Sequence, residues 1–330
     1  MRKQLGVWLK DRWRYERALH GPVDRLLALC NRQELIDPAP QGLGYACRWA
    51  FTSQLHAPTV QPRLGQRLLQ CCLEHAPIQR SATPPPSHRA PQISVLIGHR
   101  GLERLPLLLA TLESLASQRH VRFECVVIEH DTCATIADHL PPWVRHVHDV
   151  TKAATPYNRS QAFNFGVQHA RAPVLLLHDN DMLVPVEYLS SILHRISLGY
   201  AVVNPKRYIF YLSQRHTQDL LSGEVGLCYN PPEAIVQNLE AGGSMAITRA
   251  AYNELGGMDE SFVGWGGEDN EFWDRCLILP TWIWGYEPIV HLWHASQPEK
   301  LTASNTNLDK FRQCLGSPVK QRIEKLKLRV

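Results

Sequence analysis

An α/β fold with a mostly parallel sheet flanked by helices is predicted by three observations. Apolar runs of strand length recur through the middle of the chain. Segments of helical spacing separate them, and charged residues gather where the runs end. Open sheets of this kind bind ligands beyond the carboxyl ends of their strands. His99, Arg100, Glu129, Asp131, Asp179 and Asp181 all fall at such ends.

Taken in order, residues 1–80 read as an N-terminal helical module. Leu5, Trp8 and Leu9 share one face, and Leu26, Leu27, Leu29 and Cys30 form a second apolar cluster. Ser81-Ala82-Thr83-Pro84-Pro85-Pro86-Ser87 breaks all periodicity, so residues 81–92 read as an extended linker. Ile93 to Ile97 is a buried strand, followed by a turn at Gly98-His99-Arg100-Gly101. Leu105, Leu108, Leu109, Leu112 and Leu115 then recur at helical spacing. Phe123 to Ile128 is the next strand, Val144 to His148 a short third, and Val174 to Leu177 a fourth, reached through a helix bearing Phe163, Val167 and Ala170. Tyr286 to Trp293 reads as a late strand. The catalytic domain is expected over residues 93–300, with a basic helical tail over 301–330.

Hydrophobic residues at 44% and charged residues at 20% are ordinary for a soluble globular enzyme. A net charge of +4 is too small to point to nucleic acid. Its basic residues crowd both ends, from Arg2 to Arg17 and from Lys320 to Arg329. Solvated helix faces account for both clusters, and contact with an anionic membrane is the alternative. Nine cysteines without CxxC spacing indicate a reducing compartment. No apolar run approaches the ~18 residues of a spanning helix. The expectation is a cytoplasmic protein, in solution or against the inner face of the membrane.

Three clusters carry chemistry. Asp179 and Asp181 flank Asn180 after a very apolar run, and like charges so spaced need a cation or donors to stabilise them. A divalent ion on a nucleotide diphosphate would do so; a polar turn capping the next helix is the plainer reading. A bend after Leu292 would turn His291 and His294 towards one ion. A histidine hydrogen-bonded beside a core tryptophan is the plainer reading for one of them, so His294 is the expected ligand and His291 the second candidate. Gly264-Trp265-Gly266-Gly267-Glu268-Asp269-Asn270-Glu271 is the densest signal. Its glycines permit close backbone approach, Trp265 offers an indole to a sugar ring, and Glu268 or Asp269 can take a hydroxyl proton. An acidic helix N-terminus explains the same acids without excluding catalysis. Tyr157 can stack on a base, and Arg159 can pair with phosphate.

Tyr157-Asn158-Arg159-Ser160, His178-Asp179-Asn180-Asp181, Gly242-Gly243-Ser244 and the Gly264–Asp269 segment occur in an order that resembles glycosyltransferases of the GT-A fold. The likeness runs from about Ile93 to Trp293. It is to the C-terminal region of β-1,4-galactosyltransferases and to bacterial family 2 enzymes. It implies inverting transfer of a hexose, of galactose or N-acetylhexosamine type, from a UDP-sugar to a saccharide or other hydroxyl acceptor. Mn²⁺ or Mg²⁺ is the implied cofactor. By family position Asp181 and His294 would hold the metal, with His291 as a further ligand, and Asp179 would contact the donor. Asp269 would be the base, with Glu268, Trp265, Gly266 and Gly267 on the acceptor side. Arg100, Arg159 and Tyr157 match donor-binding positions, and Glu129 is assigned there from its strand end. Gly98-His99-Arg100 departs from the animal enzymes, and Asn270 interrupts their longer acidic run. A nucleotidyltransferase, or a silent carbohydrate-binding protein retaining the fold, are the competing functions.

Overall fold

The computed structural model describes residues 2–23, 25–26, 36–38, 45–47, 52–87, 89–150, 156–296 and 300–328. Its main sheet has seven strands. In spatial order they are Thr281–Trp282, Val202–Val203, Ser244–Thr248, Val174–His178, Ile93–His99, Phe123–His130 and Val144–Asp149. The last four run parallel, pairing Ile93 with Phe123 and with Val174 at the start of the ladder. Ser244–Thr248 enters antiparallel beside Val174–His178.

Alternation along the strands explains the two helical layers. Ile93, Val95, Ile97, Cys125 and Val127 point to one face and pack with Leu105, Leu108, Leu112 and Leu115 of the helix Leu105–Ala116. Leu96, Val126, Ile128, Leu175 and Leu177 point to the other, against Ala162, Phe163 and Val167 of the helix Arg159–His169. The doubly covered parallel core thus follows the sequence reading, and its buried strands need no polar face. The expected third strand extends to Asp149, and the late strand is Glu287–His291.

A second sheet was not anticipated. Ser53–Gln54, Ala234–Gln237, Lys206–Tyr211, Glu287–His291 and Met182–Leu183 lie side by side in it. Two of these strands are too short for any period to register. A third begins with Lys206 and Arg207, two charged residues that are fully buried.

This second sheet also meets the N-terminal region. Leu64, Leu68, Leu69, Cys71 and Cys72 of the helix Pro62–His75 share a core with Tyr208, Phe210, Val290 and Leu292, and with Leu107 and Ala110. The segment expected as a separate module therefore shares a core with the second sheet and with the helix Leu105–Ala116. Its cluster Leu27, Leu29 and Cys30 lies outside the described residues. The linker is pinned as well, Ser81 N–H donating to Glu113 O at 2.9 Å and Trp143 Nε1 to Ala82 O at 3.1 Å. Leu68→Ala is expected to destabilise the chain by about 2–5 kcal/mol in one urea transition. Two separate transitions, with only the first shifted, would show an independent module instead.

The C-terminal residues form the helices Lys300–Leu315 and Val319–Lys327. Ile323 enters the core, and Arg322 Nη1 donates to Glu271 Oε1 at 2.9 Å. No described helix is long and apolar enough to cross a membrane.

Candidate active site

The carboxyl ends of the parallel strands open into a cleft of about 1040 Å³, bounded by both sheets and by the Gly264–Asp269 loop. Arg100, Tyr157, Arg159, Asp179, Asp181, Trp265, Gly266, Gly267, Glu268, Asp269, His291 and His294 all line it. Glu129 does not. It is fully buried, and its Oε1 accepts from Thr135 N and Oγ1 at 2.7 Å, while Oε2 lies 2.8 Å from His146 Nε2. Burial alone would raise its pKa, but these hydrogen bonds hold it below the usual value. Its strand position pointed to the cleft; its side chain instead fixes the following turn.

Asp181, His291 and His294 bring one ligand atom each to within 4.8 Å of one another. The strand ends at His291, so the chain is free to turn before His294, and Leu292 N–H anchors that turn on Asp181 O at 2.9 Å. Asp181 Oδ1 lies 3.6 Å from His291 Nε2, and Oδ2 lies 3.3 Å from His294 Nε2. Oδ1 is buried without a hydrogen-bond partner. Burial lowers the pKa of His294, which favours the neutral, ligating imidazole. An orphaned carboxylate oxygen beside two imidazoles fits a divalent cation. Two nitrogens in the set favour Mn²⁺ over Mg²⁺, which demands oxygen ligands.

Asp179 does not join this trio. Arg159, at the start of its helix, donates Nη2 to Asp179 Oδ1 at 2.7 Å and Nε to the same atom at 3.2 Å, while Nη1 pairs with Asp269. One guanidinium thus spans two carboxylates that lie far apart in the chain. Asn158 caps this helix, accepting from Gln161 N–H at 3.0 Å. Arg100 faces Asp131, with Nε 3.7 Å from Oδ1. The Tyr157 hydroxyl presses on Gly98, where any side chain would collide with it.

The helix Glu268–Cys276 carries Glu268, Asp269 and Glu271 in its first turn, where the helix dipole favours anions. Gly267 caps it with φ +86°, and a Cβ there would stand 2.7 Å from Asn307 O. Across the cleft Gly242, at φ +77°, leaves room for Asp269, whose Oδ2 a Cβ would meet at 2.8 Å. Burial raises the pKa of Glu268, and repulsion from Asp269 adds to it, bringing it to about 7. Burial also raises that of Asp269, against the pull of Arg159. Trp265 is 39% exposed at the rim, so its ring is presented to the cleft rather than to the core.

Several contributors escaped the sequence reading. Asn307 donates to Val263 O at 3.0 Å and Trp265 O at 3.2 Å, bracing the loop from the C-terminal region. Lys206 is fully buried and donates to Ser244 O at 2.6 Å. Burial brings its pKa down to about 7 despite Asp269 and Asp179 nearby. His178 is a strut, with Nδ1 2.8 Å from Ser244 Oγ and its pKa lowered by burial to about 4. Asn180 donates to His99 Nδ1 at 2.8 Å, which places the His99 proton on Nε2 for Gly101 O. Arg104 sits among the metal-type ligands. Only its place before a leucine-rich helix at the sheet's carboxyl edge could have flagged it.

Residues 102–246 match the family model described as glycosyl transferase family 2. Residues 237–279 match the model described as the N-terminal domain of galactosyltransferase. What these two models describe is a glycosyltransferase. The matched glycosyltransferase region holds Asp179, Asp181 and Asp269. Curated proteins yield no match. Among solved structures, GalNAc-T7 with UDP, GalNAc and Mn²⁺ aligns at 16% identity over 70% of this chain, with a TM-score of 0.49. The alignment spans 48% of GalNAc-T7, about half of its length. The mannosyltransferase from Pyrobaculum calidifontis in complex with GDP-Man and Mn²⁺ aligns at 13% identity over 81% of this chain and 76% of its own, with a TM-score of 0.48.

Proposed function

We propose that this glycosyltransferase moves a hexose, of galactose or N-acetylhexosamine type, from a UDP-sugar to a saccharide hydroxyl with inversion at the anomeric carbon. The observation that carries this reading is the division of one cleft into two halves. Asp181, His291 and His294 form a metal-type cluster on one side, Trp265, Glu268 and Asp269 an acceptor-type wall on the other, and Arg159 bridges Asp179 and Asp269.

Asp181, His291 and His294 would hold Mn²⁺, which neutralises charge developing on the diphosphate leaving group. Arg159, Arg100 and Tyr157 surround the space for the donor, and a bidentate guanidinium suits phosphate. Trp265 stacks the acceptor sugar. Asp269 takes the proton of the acceptor hydroxyl as its oxygen bonds to the anomeric carbon and the bond to the diphosphate breaks. Attack opposite the leaving group inverts that carbon. Glu268 orients the acceptor and, as a like charge, keeps Asp269 basic enough to accept a proton.

The test is a panel of UDP-hexoses with saccharide acceptors, read as UDP release with and without Mn²⁺. Mn²⁺-dependent UDP release with at least one donor is expected. Pyrophosphate release would favour a nucleotidyltransferase. Mn²⁺-dependent binding without release would favour a silent sugar-binding protein.

A further inference from the structure

Arg104 precedes the helix Leu105–Ala116 and reaches into the candidate metal cluster. Its Nη1 lies 3.5 Å from Asp181 Oδ2, and its Nη2 lies 2.9 Å from His294 Nδ1. The Asp181 side chain is only 4% exposed. A carboxylate so deeply placed is costly without a positive neighbour. The imidazoles beside it are charged only when protonated, whereas a guanidinium is charged at every accessible pH.

The hydrogen bond to His294 has a second effect. A neutral imidazole carries one N–H and one acceptor nitrogen. When Nδ1 accepts from Arg104, the proton sits on Nε2, the atom that faces Asp181 Oδ2 at 3.3 Å. In that tautomer Nε2 has no lone pair for a metal. The alternative partner of Nδ1 is Ala295 O, also at 2.9 Å. If Nδ1–H donates there, Nε2 is free to ligate. Arg104 and Ala295 therefore select opposite tautomers of one ligand.

We propose that Arg104 is an internal counter-cation that keeps the ligand set closed to metal until the donor arrives. With the cleft empty it neutralises Asp181 and holds His294 in the non-ligating tautomer. When a nucleoside diphosphate enters with its divalent ion, the guanidinium moves to the diphosphate. His294 then loses its Nε2 proton to solvent, and Nδ1 takes a proton from solvent and donates it to Ala295 O. Metal and donor thereby bind cooperatively. By linkage each tightens the other by the same factor. The inference rests on the metal-dependent reading of the cleft given above.

Calorimetric titration of the full chain with Mn²⁺, in the absence and presence of UDP, tests it without any turnover. Arg104→Ala is expected to bind Mn²⁺ alone about tenfold or more tightly than the native chain, because a like charge has left the site. UDP affinity at saturating Mn²⁺ is expected to fall about tenfold, from the lost charge-assisted hydrogen bonds. The factor by which UDP tightens Mn²⁺ should shrink accordingly. Arg104→Lys keeps the charge but not the fork, so Mn²⁺ affinity should stay near native while UDP affinity falls. Thermal melting of both variants checks the fold, and the Lys variant preserves the test if the Ala variant melts early. If the native chain binds Mn²⁺ with UDP and Arg104→Ala leaves affinity for Mn²⁺ alone unchanged or weaker, the inference fails while the metal reading stands. If the native chain binds no Mn²⁺ even with UDP, both fail.

Discussion

Asp269→Asn is expected to lose sugar transfer by about 10²–10⁴-fold while UDP-sugar and Mn²⁺ binding persist. The substitution keeps the shape of a side chain that Gly242 admits and Arg159 holds, and removes its basicity. Steady-state rates beside calorimetric donor binding make the measurement. Glu268 supplies an internal control. Its pKa, raised to about 7, means that the folded chain keeps this proton where an ordinary glutamate has lost it. Both acids are ionised only as pH rises through that region, so transfer should rise through the same window. The stability effect has the opposite sign, because the folded state binds more protons than the unfolded one between the ordinary glutamate value and about 7. Stability should fall as pH rises across that interval, and Glu268→Gln should flatten the fall. The same variant removes a like charge from Asp269, so the acid limb of its rate profile should move to lower pH. If Glu268→Gln abolishes transfer and Asp269→Asn does not, the two roles are exchanged. If neither variant is impaired, the base lies elsewhere.

Asp181→Ala is expected to abolish Mn²⁺-dependent UDP binding. The loss should exceed the ~10–100-fold that outer-shell partners of a metal alone control. The fold should survive, because the contact that anchors the turn uses the main-chain oxygen of Asp181, and Oδ1 has no hydrogen bond to lose. Circular dichroism and titration with UDP, with and without Mn²⁺, read the two effects separately. Unchanged Mn²⁺-dependent affinity in a folded variant removes Asp181 from the site. Asp181→Asn keeps an oxygen but not the charge, and should bind Mn²⁺ weakly rather than not at all.

The strands that carry the site were legible because burial on both faces imposes an uninterrupted apolar run. Ile93 to Ile97, Phe123 to Ile128 and Val174 to Leu177 show this, and their ends marked Arg100 and both aspartates. The Gly264–Asp269 loop was legible for a different reason. Its glycines stand at φ +78°, +97° and +86°, a region that other residues rarely adopt, so the backbone conformation is written into the residue types. Asp269 and Glu268 follow from the same segment, since the helix begins directly after Gly267.

What the sequence could not decide was direction and partnership. Glu129 and Asp131 are two residues apart in the chain, yet one is buried against His146 and Thr135 while the other lines the cleft beside Arg100. His291 and His294 could have faced apart; the turn held on Asp181 sets them together. Lys206 and Asn307 carry no local mark of their roles, and Arg104 only its place before a leucine-rich helix, because each acts through contacts that only the folded chain makes. The same holds for the N-terminal helix Pro62–His75, whose apolar face finds Tyr208, Phe210 and Val290 from the far end of the sequence. Local pattern therefore determined which residue types stand at the strand ends and in the glycine loop. Tertiary packing alone decided which charges meet, because a charge is placed by what surrounds it in space and not by its neighbours in sequence.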